Sequence, residues 1–535
     1  MDFRKILLSM ALVAACLAAR ADVFIMGDVN RDRTVDVGDV NSVLEAILAG
    51  GEPDLSMDLN GDGLVDVGDT NAILDLILSG ERRVVRTGYD YVWNEESETL
   101  AEIHIDVPLE EWNNLLKLYD ANPQTTQYVM ANVTYVGTDG VETRIEGAGL
   151  RLKGNTSRRR PEGNTGEMHR AGHTDWHHCH FGIHLRKYFK DEEHTIQGVR
   201  KLHLKWAKDD PTYVREMFCY DMFRRAGVWT GTRGVYCRLW LHVEGDEQEA
   251  YYGVYELLEP IDENWLKQRD DENTFGTHEG NLWKCRYTRH QASLTNEYGG
   301  DYWYDDDSDD KHVYTLETNT KRFDAAKAQL IDFQLKLIGK KDDSFRTWIT
   351  EVCDVDLLLH TYAVNVALGM WDDYWNNGNN YYLYFTTEDL YDYKVYLIPY
   401  DYDNTLGTSN NCGVQNDSGR QDPLRWGNSD PNNWRSGSPL IARLLQFEDW
   451  KALYIKYLKE AVAQGAGLMH YDDAVTRIRR WQRIIAPYVS NDTGEDMELR
   501  DEPAGWGNRH EYRLLGGDFN TNFFRVKAAT INALP

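Results

Sequence analysis

The chain has 535 residues, enough for more than one domain, with 42% hydrophobic and 27% charged side chains and a formal net charge of -29. That acidity excludes electrostatic binding to nucleic acid or to an anionic membrane and favours solubility and cation binding. After the first twenty or so residues no run is apolar enough to span a bilayer, so no transmembrane segment is expected.

Arg4 and Lys5, the apolar run from Ile6 to Ala19, and Ala19-Arg20-Ala21 read as a signal peptide over residues 1–21. The expected location is therefore secreted or extracellular. The alternative is a lipobox at Val13-Ala14-Ala15-Cys16, which would anchor the protein at Cys16. Export permits disulfides among Cys179, Cys219, Cys237, Cys285, Cys353 and Cys412, but there is no C-x-x-C pair and their spacing fixes no pairing.

A repeat follows. Asp28, Asn30, Asp32, Thr34, Asp36 and Asp39 occupy positions 1, 3, 5, 7, 9 and 12 of a calcium loop, and Asp58, Asn60, Asp62, Leu64, Asp66 and Asp69 occupy the same positions of a second. Oxygen ligands at that spacing, with a backbone carbonyl at position 7, are the EF-hand layout. Each loop feeds an apolar helical run, Val43-Leu44-Ile47-Leu48 and Ile73-Leu74-Ile77-Leu78. Over residues 26–80 this duplicated unit resembles a type I dockerin. The resemblance implies a small all-α module that needs Ca²⁺ to fold and docks to a cohesin module of a scaffoldin or surface protein. Arg33 replaces the usual glycine at position 6, and Val37-Gly38 and Val67-Gly68 stand where many dockerins carry the polar residues that choose a cohesin. The other reading of the module is calcium as a fold staple with no partner.

Residues 81–98 form a polar linker. Beyond it, 102–107, 128–136 and 149–153 read as strands and 109–119 as a helix, an α+β pattern. Arg151-Leu152-Lys153-Gly154-Asn155-Thr156-Ser157-Arg158 is a basic strand end running into a turn that can offer charge and N–H groups to phosphate. His169, His173, His177, His178, His180 and His184 then crowd one segment with Cys179. Spacing of four would align three of them on a helix for zinc, whereas Gly166, Gly172 and Gly182 favour a loop. Leu202-His203-Leu204-Lys205 reads as a strand, and Asp209-Asp210-Pro211 caps a helix predicted over 212–226. Paired strands are expected over 235–243 and 251–258, and helices over 321–338 and 354–370. The last hundred residues read as helices with Trp-rich loops and carry no recognisable chemistry.

The stretch that organises the second domain is 371–407. The aromatic run Tyr381-Tyr382-Leu383-Tyr384-Phe385 and the run Lys394-Val395-Tyr396-Leu397-Ile398 predict a β-hairpin. Pairing would bring Asp372, Asp373 and Asn380 beside Asp401 and Asp403, and carboxylates gathered so suit Mg²⁺ or Mn²⁺ with a nucleotide. With the basic turn, the 210–227 helix, Tyr252-Gly253-Val254-Tyr255, Glu259-Pro260-Ile261-Asp262, Gly280-Asn281-Leu282-Trp283-Lys284 and Ile398-Pro399-Tyr400-Asp401-Tyr402-Asp403, the chain resembles the CotH kinase-like family. The resemblance implies an atypical bilobal protein-kinase-like domain over 99–535, with core motifs in 149–407 and a helical part over 408–535. It implies transfer of phosphate from ATP, with Mg²⁺ or Mn²⁺, to Ser or Thr of a protein. By motif, Asp372 falls at the catalytic position, with Asp373 adjoining, and Asp401 falls at the metal-binding position. Asn380 and Asp403 would be further metal ligands, Lys153, Asn155, Ser157 and Lys284 nucleotide contacts, and Glu259 the partner that positions a lysine. The segment is stretched by Asn376-Asn377-Gly378, and Tyr400 stands where the family often has Trp. Two other classes remain open: a non-catalytic adhesin or matrix module on the same fold, and a dockerin-borne carbohydrate-active enzyme.

Overall fold

The structure is a computed structural model and describes residues 24–32, 34–49, 54, 57–60, 64–79, 84–172, 175–295, 300–304, 311–410, 416–427, 438–507 and 509–535. The expected signal peptide with Cys16, the ligand Asp62, the position-6 residue Arg33, His173 and Cys412 lie outside them. Among the described residues no helix is long and apolar enough to cross a membrane. The chain divides into two units, Met1–Ile105 with Asn132–Ala148 and Leu185–Arg200, and Asp106–Ala131 with Gly149–His184 and Lys201–Pro535.

In the first unit β1 (Phe24–Ile25) pairs antiparallel with β2 (Val84–Val85), so both ends of the repeat lie side by side. Between them run α1 (Val37–Ala49) and α2 (Val67–Ser79). Their apolar stripes meet in a small core of Val40, Val43, Leu59 and Ile73. The sequence repeat is also a repeat of hydrogen bonds. The Asp39 carboxylate accepts from the N–H of Val29 at 2.8 Å, Asn30 at 3.1 Å and Asp36 at 2.9 Å. Asp69 does the same for Leu59 at 2.7 Å, Asn60 at 3.2 Å and Asp66 at 2.8 Å. Both aspartates are fully buried in the first turn of a helix, where the helix dipole also favours a negative charge. The rest of this unit contains β3 (Ala101–Val107) as far as Ile105 and the adjoining parts of β4 (Val129–Val136) and β5 (Glu142–Lys153). Along β3 buried and half-buried residues alternate strictly, the period of a strand with one face on a core.

In the second unit α3 (Leu109–Ala121) precedes the end of β5, from which an antiparallel sheet continues as β6 (His180–His184), β7 (Lys201–Lys205), β9 (Ala250–Leu258) and β8 (Gly234–Val243). The register places Arg151, Lys153, His180, Gly182, His203 and Lys205 on one face, and Leu150, Leu152, Phe181, Ile183, Leu202 and Leu204 on the other. The helix α4 (Arg215–Arg225) joins β7 to β8. It begins three residues later than predicted because Tyr213 takes φ +60°, which no helix accommodates. The capping residue is nevertheless Asp210, whose carboxylate accepts from the N–H of Thr212, Val214 and Arg215.

After the short α5 (Glu263–Lys267) comes a second sheet in the order β11 (Tyr302–Trp303), β12 (Tyr314–Leu316), β10 (Asn281–Cys285), β13 (Tyr381–Phe385), β14 (Val395–Pro399). The helices α6 (Phe323–Gly339), α7 (Asp342–Val352), α8 (Val355–Ala367) and the single turn α9 (Tyr374–Asn377) fill the chain between β12 and β13. The C-terminal part carries α10 (Pro439–Leu444), α11 (Glu448–Ala461), α12 (Tyr471–Ile485) and α13 (Phe523–Asn532). The mixture of helices and sheets agrees with the expected α+β class.

His169, His177 and His178 lie in a loop while His180 and His184 are the two ends of β6, and the described residues of this segment do not gather into a metal-sized group. His169 is instead wedged between carboxylates. Its Nδ1 lies 2.9 Å from Glu162 and its Nε2 3.1 Å from Asp246, while Trp112 donates to Glu162 at 2.6 Å.

Candidate functional site

The hairpin of β13 and β14 is in the expected register, with Tyr381 opposite Pro399 and Phe385 opposite Val395. Asn380 and Asp401 therefore leave the sheet at one end. Both turn sharply there, with φ +53° and +62°, conformations that Asn and Asp tolerate better than other side chains. Asp401 and Asp403 then meet residues the sequence did not single out. Lys205 Nζ, at the end of β7, lies 2.6 Å from Asp401, 3.1 Å from Asp403 and 2.6 Å from Glu216 in the first turn of α4. Tyr220 and the backbone N–H of Tyr402 both donate to the second oxygen of Glu216, at 2.9 and 3.2 Å.

One ammonium thus faces three carboxylates in a largely buried site. Burial opposes the charge on Lys205, yet Asp401, Asp403 and Glu216 together hold its pKa well above the ordinary lysine value. Burial also raises Glu216, and it pushes Asp403 up to about 8 against the pull of Lys205. Glu256, opposite Lys205 in the β7–β9 register, is raised well above the usual range by burial and then by the charge of Glu216. The carboxylates outnumber the ammonium they share. Ligand oxygens of Glu216, Asp401 and Asp403 lie within 4.8 Å of one another, and the buried Oδ1 of Asp403 has no hydrogen-bond partner. Hard oxygen donors grouped so fit Mg²⁺ or Mn²⁺.

Asp372 and Asp373 are adjacent but differently employed. Asp372 is half-buried and held by three side-chain amides, from Asn377 at 2.5 Å and from Asn379 and Asn380 at 3.1 Å. Burial, with the charge of Asp401 adding to it, lifts its pKa to about 6 against those bonds. Asp373 is buried and caps α9, accepting from Asn376 N–H at 2.8 Å and from the Asn365 amide at 2.6 Å. The Asn376-Asn377-Gly378 stretch is therefore what builds both environments. Asn365 in turn accepts from Tyr402 Oη at 2.7 Å, tying Asp373 to the Asp401–Asp403 strand exit.

Glu259 does not position a lysine. It is buried, and its carboxylate is clamped by Arg233 at 3.0 Å and Arg269 at 2.9 Å, because β8–β9 pairing and the α5 turn bring those arginines to it. The glutamate that meets Lys205 is Glu216. Burial would raise Glu259, but the two guanidinium groups overrule it and hold the pKa at about 2. A depressed carboxylate stabilises the fold above its unfolded pKa of 4.5, and that contribution is lost as the pH falls from there through about 2. Glu259→Gln should therefore cost about 3 kcal/mol at neutral pH, and urea titrations at pH 7 and pH 2.5 should show the difference shrinking.

Of the remaining nucleotide candidates, Lys153 lies on the polar face of the first sheet, Asn155 and Ser157 in the turn after β5, and Lys284 on β10 of the second sheet. The stem of Lys153 runs across Gly182, where a Cβ would stand 2.8 Å from its Cδ. Asn155 accepts from Lys311 at 2.8 Å, and its carbonyl accepts from Gln124 at 3.1 Å, which fixes the turn after β5. Ser157 packs beside Gly154, which has φ +102°. Lys284 Nζ lies over the rings of Tyr382 and Tyr400, 5.8 and 5.5 Å from their centroids.

A family model described as CotH kinase protein matches residues 151–513, a span that includes every residue of this constellation. The chain belongs to the CotH kinase family. It is thus an atypical kinase-like protein. No curated protein matches the chain.

Lys205 and Glu216 are the functional candidates that sequence reasoning missed. The available signals were a lysine ending an alternating strand and a glutamate in the first turn of the next helix, the arrangement by which kinases hold a phosphate-binding lysine.

Proposed function

We propose that this CotH kinase is a secreted atypical protein kinase that transfers phosphate from ATP to Ser or Thr of an extracellular or surface protein. The observation that carries the reading is the Lys205 ammonium shared by a helix glutamate and two aspartates at a hairpin end, a Lys–Glu pair beside a carboxylate pair of the kind that suits a divalent metal. In this reading Asp401 and Asp403, with Asn380, hold Mg²⁺ or Mn²⁺, whose charge would neutralise the transferring phosphoryl group. Lys205 and Lys153 bind phosphate oxygens, Glu216 keeps Lys205 extended, and Asp372 accepts or orients the hydroxyl of the substrate. Asn377 and Asn379 hold Asp372 in place for that proton. Lys284, Asn155 and Ser157 complete the nucleotide contacts.

Calorimetric titration of the protein with ATP and Mg²⁺ or Mn²⁺, beside Asp401→Ala, tests this. The expected result is metal-dependent binding that the folded variant lacks. Absence of binding with either metal would leave a non-catalytic adhesin or matrix module as the better reading.

The N-terminal repeat is proposed to bind two Ca²⁺ ions and to attach the protein to a cohesin-bearing scaffold. The paired hydrogen-bond sets of Asp39 and Asp69 support two equivalent loops. Chelation of calcium should raise amide exchange across residues 28–79 by at least tenfold and leave α8 and α11 unchanged. Equal exchange with and without calcium would argue for a module that folds without metal.

A further inference from the structure

The Lys205–Glu216 pair depends on the chain between its two members. Residues 206–214 make no regular element and include two left-handed residues that are not glycine, Asp209 with φ +59° and Tyr213 with φ +60°. Such conformations persist only where surrounding structure over-determines them. Here the surroundings come from the other end of the domain.

The segment 489–506, after α12, bonds to this connection at successive points. Trp206 Nε1 donates to Asp496 at 3.2 Å, and Tyr213 Oη donates to the Asp496 carbonyl at 2.6 Å. Arg500 N–H donates to Pro211 O, and Gly505 N–H to Asp209 O, both at 2.8 Å. Asp496 is itself left-handed, with φ +50°. The neighbouring Glu495 takes both guanidinium nitrogens of Arg159 at 2.9 Å and the N–H of His178 at 3.1 Å. That anchors the segment to the chain leading into β6. From β6, His180 Nδ1 accepts from Trp206 N–H at 3.1 Å, directly after Lys205.

We propose that 489–506 is an intramolecular strap whose Glu495 and Asp496 are positioning residues for the Lys205–Glu216 pair. They touch none of the site carboxylates. They act by fixing the connection whose path decides whether the ammonium and the α4 carboxylate meet. The strap gives the C-terminal part a role in the site, so a change that lifts it would uncouple Lys205 from Glu216 without altering either residue. The structural claim stands on the geometry alone, whereas its effect on nucleotide rests on the proposed function.

The test uses the full chain as Glu495→Ala/Asp496→Ala, compared with wild type and with Glu495→Gln/Asp496→Asn, which keeps side-chain acceptors for Arg159, His178 and Trp206. Amide exchange across 206–216 should rise about tenfold in the alanine variant while α11 keeps its protection, and the amide variant should restore most of it. The KM for metal-bound ATP should rise by a similar factor with kcat changed less. Unchanged exchange at 206–216 in the alanine variant, or a rise spread evenly over the protein in the amide variant, would overturn the strap. A uniform loss of structure in the alanine variant would be resolved by the amide variant, in which exchange at 206–216 should still exceed wild type if the Arg159 charge pair matters. If wild type binds no nucleotide, the kinase reading fails and the exchange data still decide the strap.

Discussion

Lys205→Met will leave Glu216, Asp401 and Asp403 without their shared cation, and the folded state should lose about 3–5 kcal/mol at neutral pH. The sign follows from the raised pKa of the ammonium. A lysine whose folded pKa lies above its unfolded value contributes fully below the unfolded value, so the whole contribution is present at pH 7 and is lost only in alkali, as the pH rises through the folded value. Methionine fills similar space, so the loss is one of charge rather than packing. Glu216 is buried and Asp401 and Asp403 are partly exposed, and without the ammonium the three carboxylates repel one another. A divalent cation would relieve the same repulsion. Millimolar Mg²⁺ or Mn²⁺ should therefore raise the melting temperature of the variant by more than that of wild type, where Lys205 already occupies the group. Phosphoryl transfer should fall by roughly 10²–10³ even after metal restores the fold, because the ammonium that would face the phosphate oxygens is gone. A variant as stable as wild type, with no added response to metal, would show that the three carboxylates do not form one charged group.

The parts of this site that were legible in the sequence are those fixed by local pattern. Tyr381–Phe385 and Val395–Ile398 are aromatic and β-branched runs on either side of a polar turn, so the hairpin and the shared exit of Asn380 and Asp401 follow from strand propensity alone. The duplicated loop-helix pattern was legible because the same residue types recur at the same positions before α1 and α2. What was not legible depends on long-range register or on unusual backbone. Glu259 follows a strand, but its clamp by Arg233 arises only once β8 and β9 are paired. The meeting of Lys205 and Glu216 needs left-handed turns at Asp209, where the residue type tolerates that conformation without requiring it, and at Tyr213, where no residue-type rule assigns it in advance. Nor does any local signal in 489–506 indicate that it braces residues far earlier in the chain.

The neighbouring aspartates Asp372 and Asp373 can be told apart by what each replacement removes. Asp372→Asn keeps the size of the side chain, and its remaining oxygen can still accept from Asn377 and Asn379, so metal-dependent nucleotide binding should stay within about threefold of wild type while kcat falls by about 10²–10⁴. The loss is confined to the turnover step because an amide cannot take the proton of the substrate hydroxyl. Asp373→Ala should behave differently. It removes the cap of α9 and the Asn365 bond that leads to Tyr402, so it should cost about 1–2 kcal/mol of stability and lower activity only as far as the displaced segment moves Asp372. Steady-state kinetics beside urea melts would separate the two. A fall in kcat of equal size for both variants, in proportion to lost stability, would place Asp372 in the framework with Asp373 and leave the hydroxyl without its base.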